Sequence, residues 1–246
     1  MSTFCVKADR ICKKFFIPAR ANTTLNAIKT LLRKQALGKD LWALREISFE
    51  IRSGEKIAII GPNGSGKTTL LRIVSGIYLP TSGNIVVEGA PRPLFNIASG
   101  LSNDLSVVDN IDLFGAVHGL ARTFIEEHID SILKDAGLGD VRFTLMKDLS
   151  RGQRQRLALS TFFQVNDKFL IFDESLTYVD QSFSSRCESY FEQLVHSSRT
   201  VIMVSHDIDF LSKYCSRALW IDKGEIRMHG EIGAVIQEYR RGQCPG

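Results

Sequence analysis

The stretch Gly61-Pro-Asn-Gly-Ser-Gly-Lys-Thr-Thr69 decides the fold of this chain. It fits the pattern GxxxxGK[ST] and lies between an apolar run at residues 56–60 and a helical run at residues 70–74. Glycines in such a loop let successive backbone N–H groups turn toward phosphate oxygens, and the following helix adds the positive end of its dipole. The stretch therefore predicts a nucleoside triphosphate site, with an ordinary Gly-rich turn as the alternative.

The residues of this loop have separate predicted roles. Lys67 can reach the β- and γ-phosphates, and the hydroxyl of Thr68 would then hold Mg²⁺. The predicted nucleotide contacts are Gly61, Pro62, Asn63, Gly64, Ser65, Gly66, Lys67, Thr68 and Thr69.

Composition sets limits on the rest of the chain. It has 246 residues, of which 44% are hydrophobic, and this predicts one or two soluble globular domains. The five cysteines have no CxxC spacing, so we expect reduced thiols rather than zinc or disulfides. A net charge of +4 is too weak to demand nucleic acid, and we expect no such partner. No window approaches the roughly 18 apolar residues of a membrane span, so we expect a cytoplasmic protein.

The secondary structure predicted from the sequence pattern changes along the chain. The strand-like runs lie at residues 4–11, 43–51, 56–60 and 84–87, and they predict a mixed sheet around the loop. Helical periodicity between residues 109 and 137 predicts an inserted helical subdomain, in which Thr123-x-x-Glu126 opens a helix as a capping box. From residue 169 onward, buried strands at 169–172 and 200–204 alternate with helices near 182–195 and 207–214. That alternation predicts a parallel α/β sheet with the loop at its carboxyl edge.

Three further segments carry side chains suited to phosphate chemistry. An apolar strand ends in Asp173 and Glu174, where the first can join the Mg²⁺ shell and the second can polarise an attacking water. Before them comes Leu149-Ser-Arg-Gly-Gln153, followed by a basic helix at residues 154–160. After them, another apolar strand runs into Val204-Ser-His-Asp207.

In order and spacing these four segments resemble the Walker A, signature, Walker B and switch-histidine motifs of ABC-type ATPases. The resemblance covers almost the whole chain, from about residue 6 to 239. It implies a single domain of the α/β class over residues 1–246: a P-loop NTPase of ABC type, with a RecA-like core, an antiparallel β subdomain and an inserted α-helical signature subdomain. The signature subdomain would span about 100–165, and the second part of the core 166–240.

The same resemblance implies a catalytic arrangement that needs two chains. ATP-binding domains of this family pair head to tail, so the signature segment of one subunit closes over the γ-phosphate held by the other. The signature residues implied here are Ser150, Arg151, Gly152 and Gln153. The helix start and backbone N–H groups would complete the phosphate cage. We therefore expect a homodimer that hydrolyses Mg-ATP.

The resemblance also implies roles for individual residues. The implied catalytic residues are Glu174 as general base, His206 as a γ-phosphate contact, and Lys67. Asp180 would touch the partner subunit. Phe15 matches the aromatic that stacks on adenine, with Phe16 as its nearby competitor and an ordinary core phenylalanine as the alternative. A single histidine after a strand is often structural, and only the position of His206 after the acidic strand favours the functional interpretation.

Two positions depart from the family pattern. The loop at residues 94–101 has no glutamine for Mg²⁺ and the membrane subunit, and Asn96 is the nearest amide, one methylene shorter. Ser175 stands where the family usually has proline, which alters a local turn but removes no catalytic group.

An insert at residues 17–41 distinguishes the chain from most of the family. We predict a basic amphipathic helix there, with a solvated helix packed on its own domain as the alternative. Its apolar stripe is Leu25, Ile28, Leu31 and Leu32, and its charges are Lys29, Arg33, Lys34 and Lys39. The insert and the following residues 41–50 resemble ATPase subunits that power export of O-antigen, capsular polysaccharide and teichoic acid.

That closer resemblance implies partners and a location. The substrate would be a lipid-linked glycan, and a separate membrane permease, in two copies, would carry it. The chain would bind peripherally to the cytoplasmic face of the inner membrane. Residues 99–113 are the candidate docking surface for the permease, and a plain surface loop is the alternative.

Three other functions stay open from the sequence. The chain could serve a lipid or drug exporter, since all the catalytic motifs would be the same. It could be a regulatory subunit that closes on ATP but turns over slowly, because the 94–101 loop lacks glutamine. It could be a soluble ABC protein that clamps DNA or ribosomes, although such chains typically carry two domains or a long coiled coil.

Overall fold

The structure, a computed structural model, describes residues 4–18, 38–95, 100–173 and 181–243. Nine strands and seven α-helices lie in this described part. The strands are β1 Phe4–Pro18, β2 Gly38–Arg52, β3 Lys56–Ile60, β4 Ser82–Val87, β5 Arg92–Leu94, β6 Phe169–Asp173, β7 Thr200–Val204, β8 Arg217–Asp222 and β9 Glu225–Glu231. The helices are α1 Lys67–Val74, α2 Val107–Val117, α3 Arg122–Ala136, α4 Arg151–Phe162, α5 Gln181–His196, α6 Ile208–Tyr214 and α7 Ile232–Gln243.

A six-stranded sheet forms the centre of the molecule. Its strand order is β5-β6-β7-β3-β8-β9, and every neighbouring pair is parallel except β8 with β9. Strands β3, β6 and β7 are buried at every residue, as continuous apolar runs in parallel sheets require. The parallel arrangement predicted from residue 169 onward is therefore confirmed.

The central sheet separates two apolar cores. Alternate side chains of β3 point to opposite faces, so Ala58 and Ile60 join one core while Ile57 and Ile59 join the other. The first core also takes in residues of α4, α5, α6 and α7. The second packs the central sheet against α1 and a smaller sheet. Burial on both faces fixes the register of β3, and with it the position of the loop that follows.

The smaller sheet is antiparallel, with the order β2-β1-β4. The prediction of one mixed sheet that includes residues 56–60 was wrong, because β3 belongs to the central sheet. The physical reason is burial: β3 is covered on both faces, whereas β2 alternates between buried and exposed positions over much of its length, as expected for a strand with one face on the core.

The ends of the predicted 17–41 helix are strands. Pro18 pairs with Gly38 and Ile17 with Lys39, so these residues extend the β1–β2 ribbon, and Lys39 does not lie in a helix. Aromatic and β-branched residues at Phe15, Phe16 and Ile17 favour this cross-strand pairing. The rest of the predicted helix, residues 19–37, lies outside the described residues.

The helical subdomain has a small core of its own. Helices α2 and α3 lie where the periodicity predicts them, and α3 ends at Gly137, which adopts a left-handed conformation with φ +66°. The buried residues that join α2, α3 and α4 include Val107, Ile111, Ile125, Ile132, Leu133 and Leu157.

The predicted capping box at Thr123 and Glu126 was wrong. Helix α3 begins at Arg122, its N-cap is Ala121, and no side chain caps it. Glu126 instead accepts a hydrogen bond from Arg122, with 2.9 Å between Nε and Oε1. This i,i+4 ion pair occupies the carboxylate that a capping box would need.

Two further observations, on helix length and on the cysteines, apply to the described residues. None of the helices within the described ranges is long and apolar enough to cross a bilayer. The four cysteines within them are free thiols, as predicted, while Cys244 lies outside.

His118 lies where the helical subdomain packs against the central core. Its ring centroid lies 4.4 Å from that of Phe114 and 5.1 Å from that of Phe162. Burial, together with the positive charge of Arg92, lowers the pKa of His118 from 6.5 to about 4. The imidazole is therefore neutral in the folded protein at neutral pH.

We expect the folded protein to lose stability in acid through His118. Between its unfolded pKa and its folded pKa of about 4, only the unfolded chain takes the proton, so the free energy of unfolding falls as pH drops through this window. Urea unfolding near pH 7.5 and about pH 5 should show a smaller loss for His118→Phe than for wild type. The exposed His196→Gln variant is the control. Equal losses in wild type and His118→Phe would refute this origin.

Candidate nucleotide site

The loop at residues 61–66 leaves the end of β3, between β7 and β8. Its backbone passes so close to neighbouring strands that only glycine fits. A Cβ on Gly61 would lie 2.0 Å from the carbonyl oxygen of Ile221, and one on Gly66 would lie 2.6 Å from that of Ala43. Both glycines also adopt positive φ, +149° and +112°. Gly61 and Gly66 are therefore required by the local backbone.

The loop presents groups that suit phosphate oxygens. Lys67 is buried, and its Nζ donates to the carbonyl oxygens of Gly61 at 2.8 Å and Pro62 at 3.1 Å. Helix α1 starts without a side-chain cap and without an acidic residue in its first turn. The hydroxyl of Ser65 is buried and has no hydrogen-bond partner among the described residues. Positive charge, a helix start and a buried hydroxyl thus meet at one loop.

Parallel strands bring Asp173, a predicted Mg²⁺ ligand, and His206, a predicted catalytic residue, to the same edge of the sheet. Asp173 ends β6 and is buried, and His206 lies two residues beyond the end of β7 and is exposed. Strand β7 lies between β6 and β3, so these residues follow neighbouring strands at the edge from which the phosphate loop leaves. Three predicted residues, Glu174, Asp180 and Asn96, lie outside the described residues.

The donor set fits Mg²⁺. Thr68 offers a hydroxyl at the start of α1, and Asp173 offers a carboxylate at the same sheet edge. Within the described ranges, no group of three or more His, Cys, Asp or Glu could hold a metal. Mg²⁺ usually takes only one or two carboxylates and fills its other positions with waters and substrate phosphates. A single carboxylate and a hydroxyl at the same sheet edge suit an ion that arrives with its nucleotide.

Phe15 lies on the β1–β2 ribbon beside a second aromatic residue. Its ring is half-buried and meets Tyr78 edge to face, with centroids 5.6 Å apart. The Nζ of Lys13 lies 5.3 Å from each of these two ring centroids. Phe16, the competing candidate, is 53% exposed, and successive strand residues point to opposite faces. Tyr78 follows the end of α1, so Phe15 packs beside the segment that connects α1 to β4.

The signature segment begins helix α4. Ser150 is the N-cap, and its Oγ accepts from the backbone N–H of Gln153 at 3.2 Å, while Oε1 of Gln153 accepts from the N–H of Ser150 at 2.9 Å. This capping box fixes the helix start. Ser150 and Arg151 are exposed, and Gly152 is half-buried. The flanking Leu149 and Leu157 anchor the segment in the core of the helical subdomain.

Two residues near the site were missed by sequence reasoning. Tyr78 orients Phe15, and its hydroxyl accepts from Arg72 at 3.0 Å. Arg154 holds the signature segment through the carbonyl oxygens of Leu149 at 3.1 Å and Lys147 at 2.9 Å. It also donates to Oδ1 of Asn103 at 3.0 Å. No local sequence pattern signals either role, because the partners lie on other elements.

The fold and the loop at its sheet edge define the class of P-loop nucleotide-binding domains. The family described as ABC transporter matches residues 44–177, which is more than half of the 246 residues. The chain therefore belongs to the ABC transporter family, and the predicted resemblance is confirmed.

Several curated proteins are similar over most of the chain. Teichoic acids export ATP-binding protein TagH of Bacillus cereus is 32% identical over 237 residues, 96% of this chain and 42% of that protein. O-antigen export system ATP-binding protein RfbB of Myxococcus xanthus is 34% identical, over 80% of this chain and 45% of that protein. ABC transporter protein AbcA of Aeromonas salmonicida is 33% identical, over 85% and 68%. The chain spans about half the length of the curated relatives TagH and RfbB.

Solved structures confirm the fold class. The structure of cbiO1 from Clostridium perfringens, part of the ABC transporter complex cbiONQ, has a TM-score of 0.67 and 24% identity, over 98% of this chain and 93% of that one. A dimeric post-hydrolysis state of the ATP-binding cassette MJ0796, bound to ADP and Pi, has a TM-score of 0.70 and 20% identity, over 92% and 98%.

We expect the neighbours Phe15 and Phe16 to differ in nucleotide binding. Loss of base stacking in Phe15→Ala should weaken ATP affinity about tenfold, since stacking of a base on an aromatic ring is worth roughly 1–3 kcal/mol. Phe16→Ala should stay within about twofold of wild type. Titration calorimetry measures both, and inorganic triphosphate, which has no base, should bind wild type and Phe15→Ala equally. A larger effect from Phe16→Ala would reassign the stacking residue.

Proposed function

We propose that the chain is the ATP-hydrolysing subunit of an ABC exporter that drives a lipid-linked polysaccharide, of O-antigen, capsule or teichoic-acid type, across the cytoplasmic membrane. One observation carries the proposal: the phosphate loop, Asp173 and His206 lie at the ends of strands on one sheet edge, and Lys67 and Asp173 are buried there. The relatives named for teichoic acid and O-antigen export support the choice of substrate, since they match 96% and 80% of the chain.

Binding of ATP would replace contacts within the phosphate loop by contacts with the nucleotide's phosphates. Lys67 would leave the carbonyl oxygens of Gly61 and Pro62 for the β- and γ-phosphates. Thr68 and Asp173 would hold Mg²⁺, which neutralises charge on the phosphates. Phe15 would stack on adenine.

Hydrolysis would need a base beside the γ-phosphate. Glu174 follows Asp173 directly in the chain and would accept a proton from the attacking water. The water oxygen bonds to the γ-phosphorus as the bond from that phosphorus to the bridging oxygen breaks, which leaves ADP and phosphate. His206, at the same sheet edge, would hold the γ-phosphate during this step.

A second copy of the chain would complete the site. Ser150 uses its oxygen to accept from Gln153, which leaves its O–H available to donate to the γ-phosphate bound by the partner. Arg151 and a helix start without acidic residues add positive potential at this point. Asp180 would contact the partner, and the assembly would be a head-to-tail homodimer.

The exporter would also include a separate permease in two copies, with this chain bound peripherally at the cytoplasmic face of the inner membrane. Residues 99–113 remain the proposed docking surface for the permease. The basic residues Lys29, Arg33 and Lys34 of the insert would meet phosphates of lipid or of the glycan carrier at the membrane surface. The strands β1 and β2 place the two ends of the insert side by side, since Pro18 pairs with Gly38.

Complementation of a gene deletion tests this function in the source organism. Surface glycan and lipid-linked glycan retained in the cell are compared after complementation with wild type, Glu174→Gln or Glu192→Gln. Glu192 is exposed on α5 and serves as the matched control. We expect wild type and Glu192→Gln to restore surface glycan and Glu174→Gln to leave it inside, because the amide cannot accept the proton. Unchanged glycan in both pools after deletion, with no second exporter present, would reject polysaccharide as the substrate.

A further arm of this experiment tests the insert. Lys29, Arg33 and Lys34 changed together to Glu should reduce export while the purified protein keeps its basal ATPase activity, because repulsion replaces attraction at the anionic surface. The same change of charge at the exposed residues Lys7, Arg52 and Lys168 is the control and should leave export intact. Normal export by the insert variant would remove the insert from the mechanism.

A further inference from the structure

We propose that Gly224, in the turn between β8 and β9, and Ala43 of β2 are positioning residues that hold the phosphate loop in its nucleotide-binding shape. This inference rests on the proposed use of that loop for ATP. Gly224 belongs to no motif recognised in the sequence, and the resemblance of residues 41–50 assigns no role to Ala43. The β8–β9 turn and β2 reach the loop only through the fold.

A chain of two backbone hydrogen bonds joins β2 to the loop. The N–H of Gly224 donates to the carbonyl oxygen of Ser65 at 2.9 Å. The N–H of Arg45 donates to the carbonyl oxygen of Gly224 at 2.7 Å. The peptide of Ser65, in the middle of the loop, is thus held by the β8–β9 turn, and the turn is held by β2.

Close backbone packing reinforces these bonds. The carbonyl oxygen of Ala43 lies where a Cβ on either of two glycines would clash, at 2.6 Å for Gly66 and 2.8 Å for Gly224. The other end of the loop meets the same hairpin, since a Cβ on Gly61 would lie 2.0 Å from the carbonyl oxygen of Ile221. The two ends of the loop therefore fit between β2 and the end of β8 with no space for a side chain at Gly61 or Gly66.

Such a fit sets the direction of the loop's N–H groups before a ligand arrives. Phosphate binding by backbone N–H groups depends on their alignment, and an aligned loop loses less entropy on binding. A shift of Gly224 or Ala43 would rotate the peptide of Ser65 and misalign its neighbours. We infer that the β8–β9 turn contributes to nucleotide affinity without touching the nucleotide.

The same contacts connect the phosphate loop to β2, the strand that follows residues 19–37 in the chain. Strand β2 begins at Gly38, directly after residues 19–37, and reaches the loop at Ala43. A ligand that shifts β2 would change nucleotide affinity, and by linkage the nucleotide would change affinity for that ligand equally.

Two glycine variants with the same backbone conformation test the positioning role. Gly224 has φ +81° and Gly89 has φ +84°, but a Cβ on Gly89 would meet nothing within 4 Å. Alanine at either position introduces similar strain, whereas only Gly224→Ala displaces Ala43. We expect Gly224→Ala to bind ADP and ATP at least about tenfold more weakly than wild type, and Gly89→Ala to stay within about twofold. Equal affinities for the two variants would overturn the proposal.

Amide hydrogen exchange on the unmodified chain gives a second measurement if Gly224→Ala does not fold. Addition of ADP should slow exchange at the N–H groups of Gly224 and Arg45, because a filled loop stabilises the bonds that they make. Unchanged exchange at both amides, with saturating ADP, would overturn the positioning role. If wild type binds neither ADP nor ATP, the proposed function itself fails, and that result is distinguishable from either outcome here.

Discussion

The close approach of three backbone segments at the phosphate loop is the constraint on which the structure depends. Gly66 adopts φ +112° against the carbonyl oxygen of Ala43, and Gly61 meets Ile221 on the other side. Any side chain at these positions would push the loop away from the sheet edge. The end of the central strand β3 must therefore lie at a fixed position relative to its neighbours. Burial of β3 between β7 and β8 fixes that position.

The remaining layers carry the other predicted site residues. One core covers the face of the central sheet under α4 to α7, and the other joins it to α1 and the antiparallel sheet. The antiparallel sheet carries Phe15 beside Tyr78, and the helical subdomain carries Ser150 at the start of a helix that packs in its own small core. His118, between Phe114 and Phe162, joins that subdomain to the central core. A separate core suits a segment that would meet a second subunit in the proposed homodimer.

The sequence-based predictions were right where burial determines the local residue pattern, and they failed where the choice of contact partner decides the structure. Strands β3, β6 and β7 were predictable because burial on both faces leaves a continuous apolar run. The capping box at Thr123 was wrong because Arg122 takes the carboxylate of Glu126, and local patterns do not reveal which partner a charge selects. The contacts of Tyr78 with Phe15 and of Arg154 with Asn103 could not be predicted, since they join elements distant in the chain.

Comparison of ATP, ADP and AMP by titration calorimetry, on wild type and Lys67→Ala, tests the central claim most directly. A loop that cradles the β-phosphate predicts that ADP binds wild type within about tenfold of ATP, and that AMP binds at least about a hundredfold more weakly. Lys67→Ala should remove most of this difference, because in the proposed site the buried ammonium would be the charge that reaches the outer phosphates. Equal binding of all three nucleotides to wild type would contradict a phosphate-binding role for the loop.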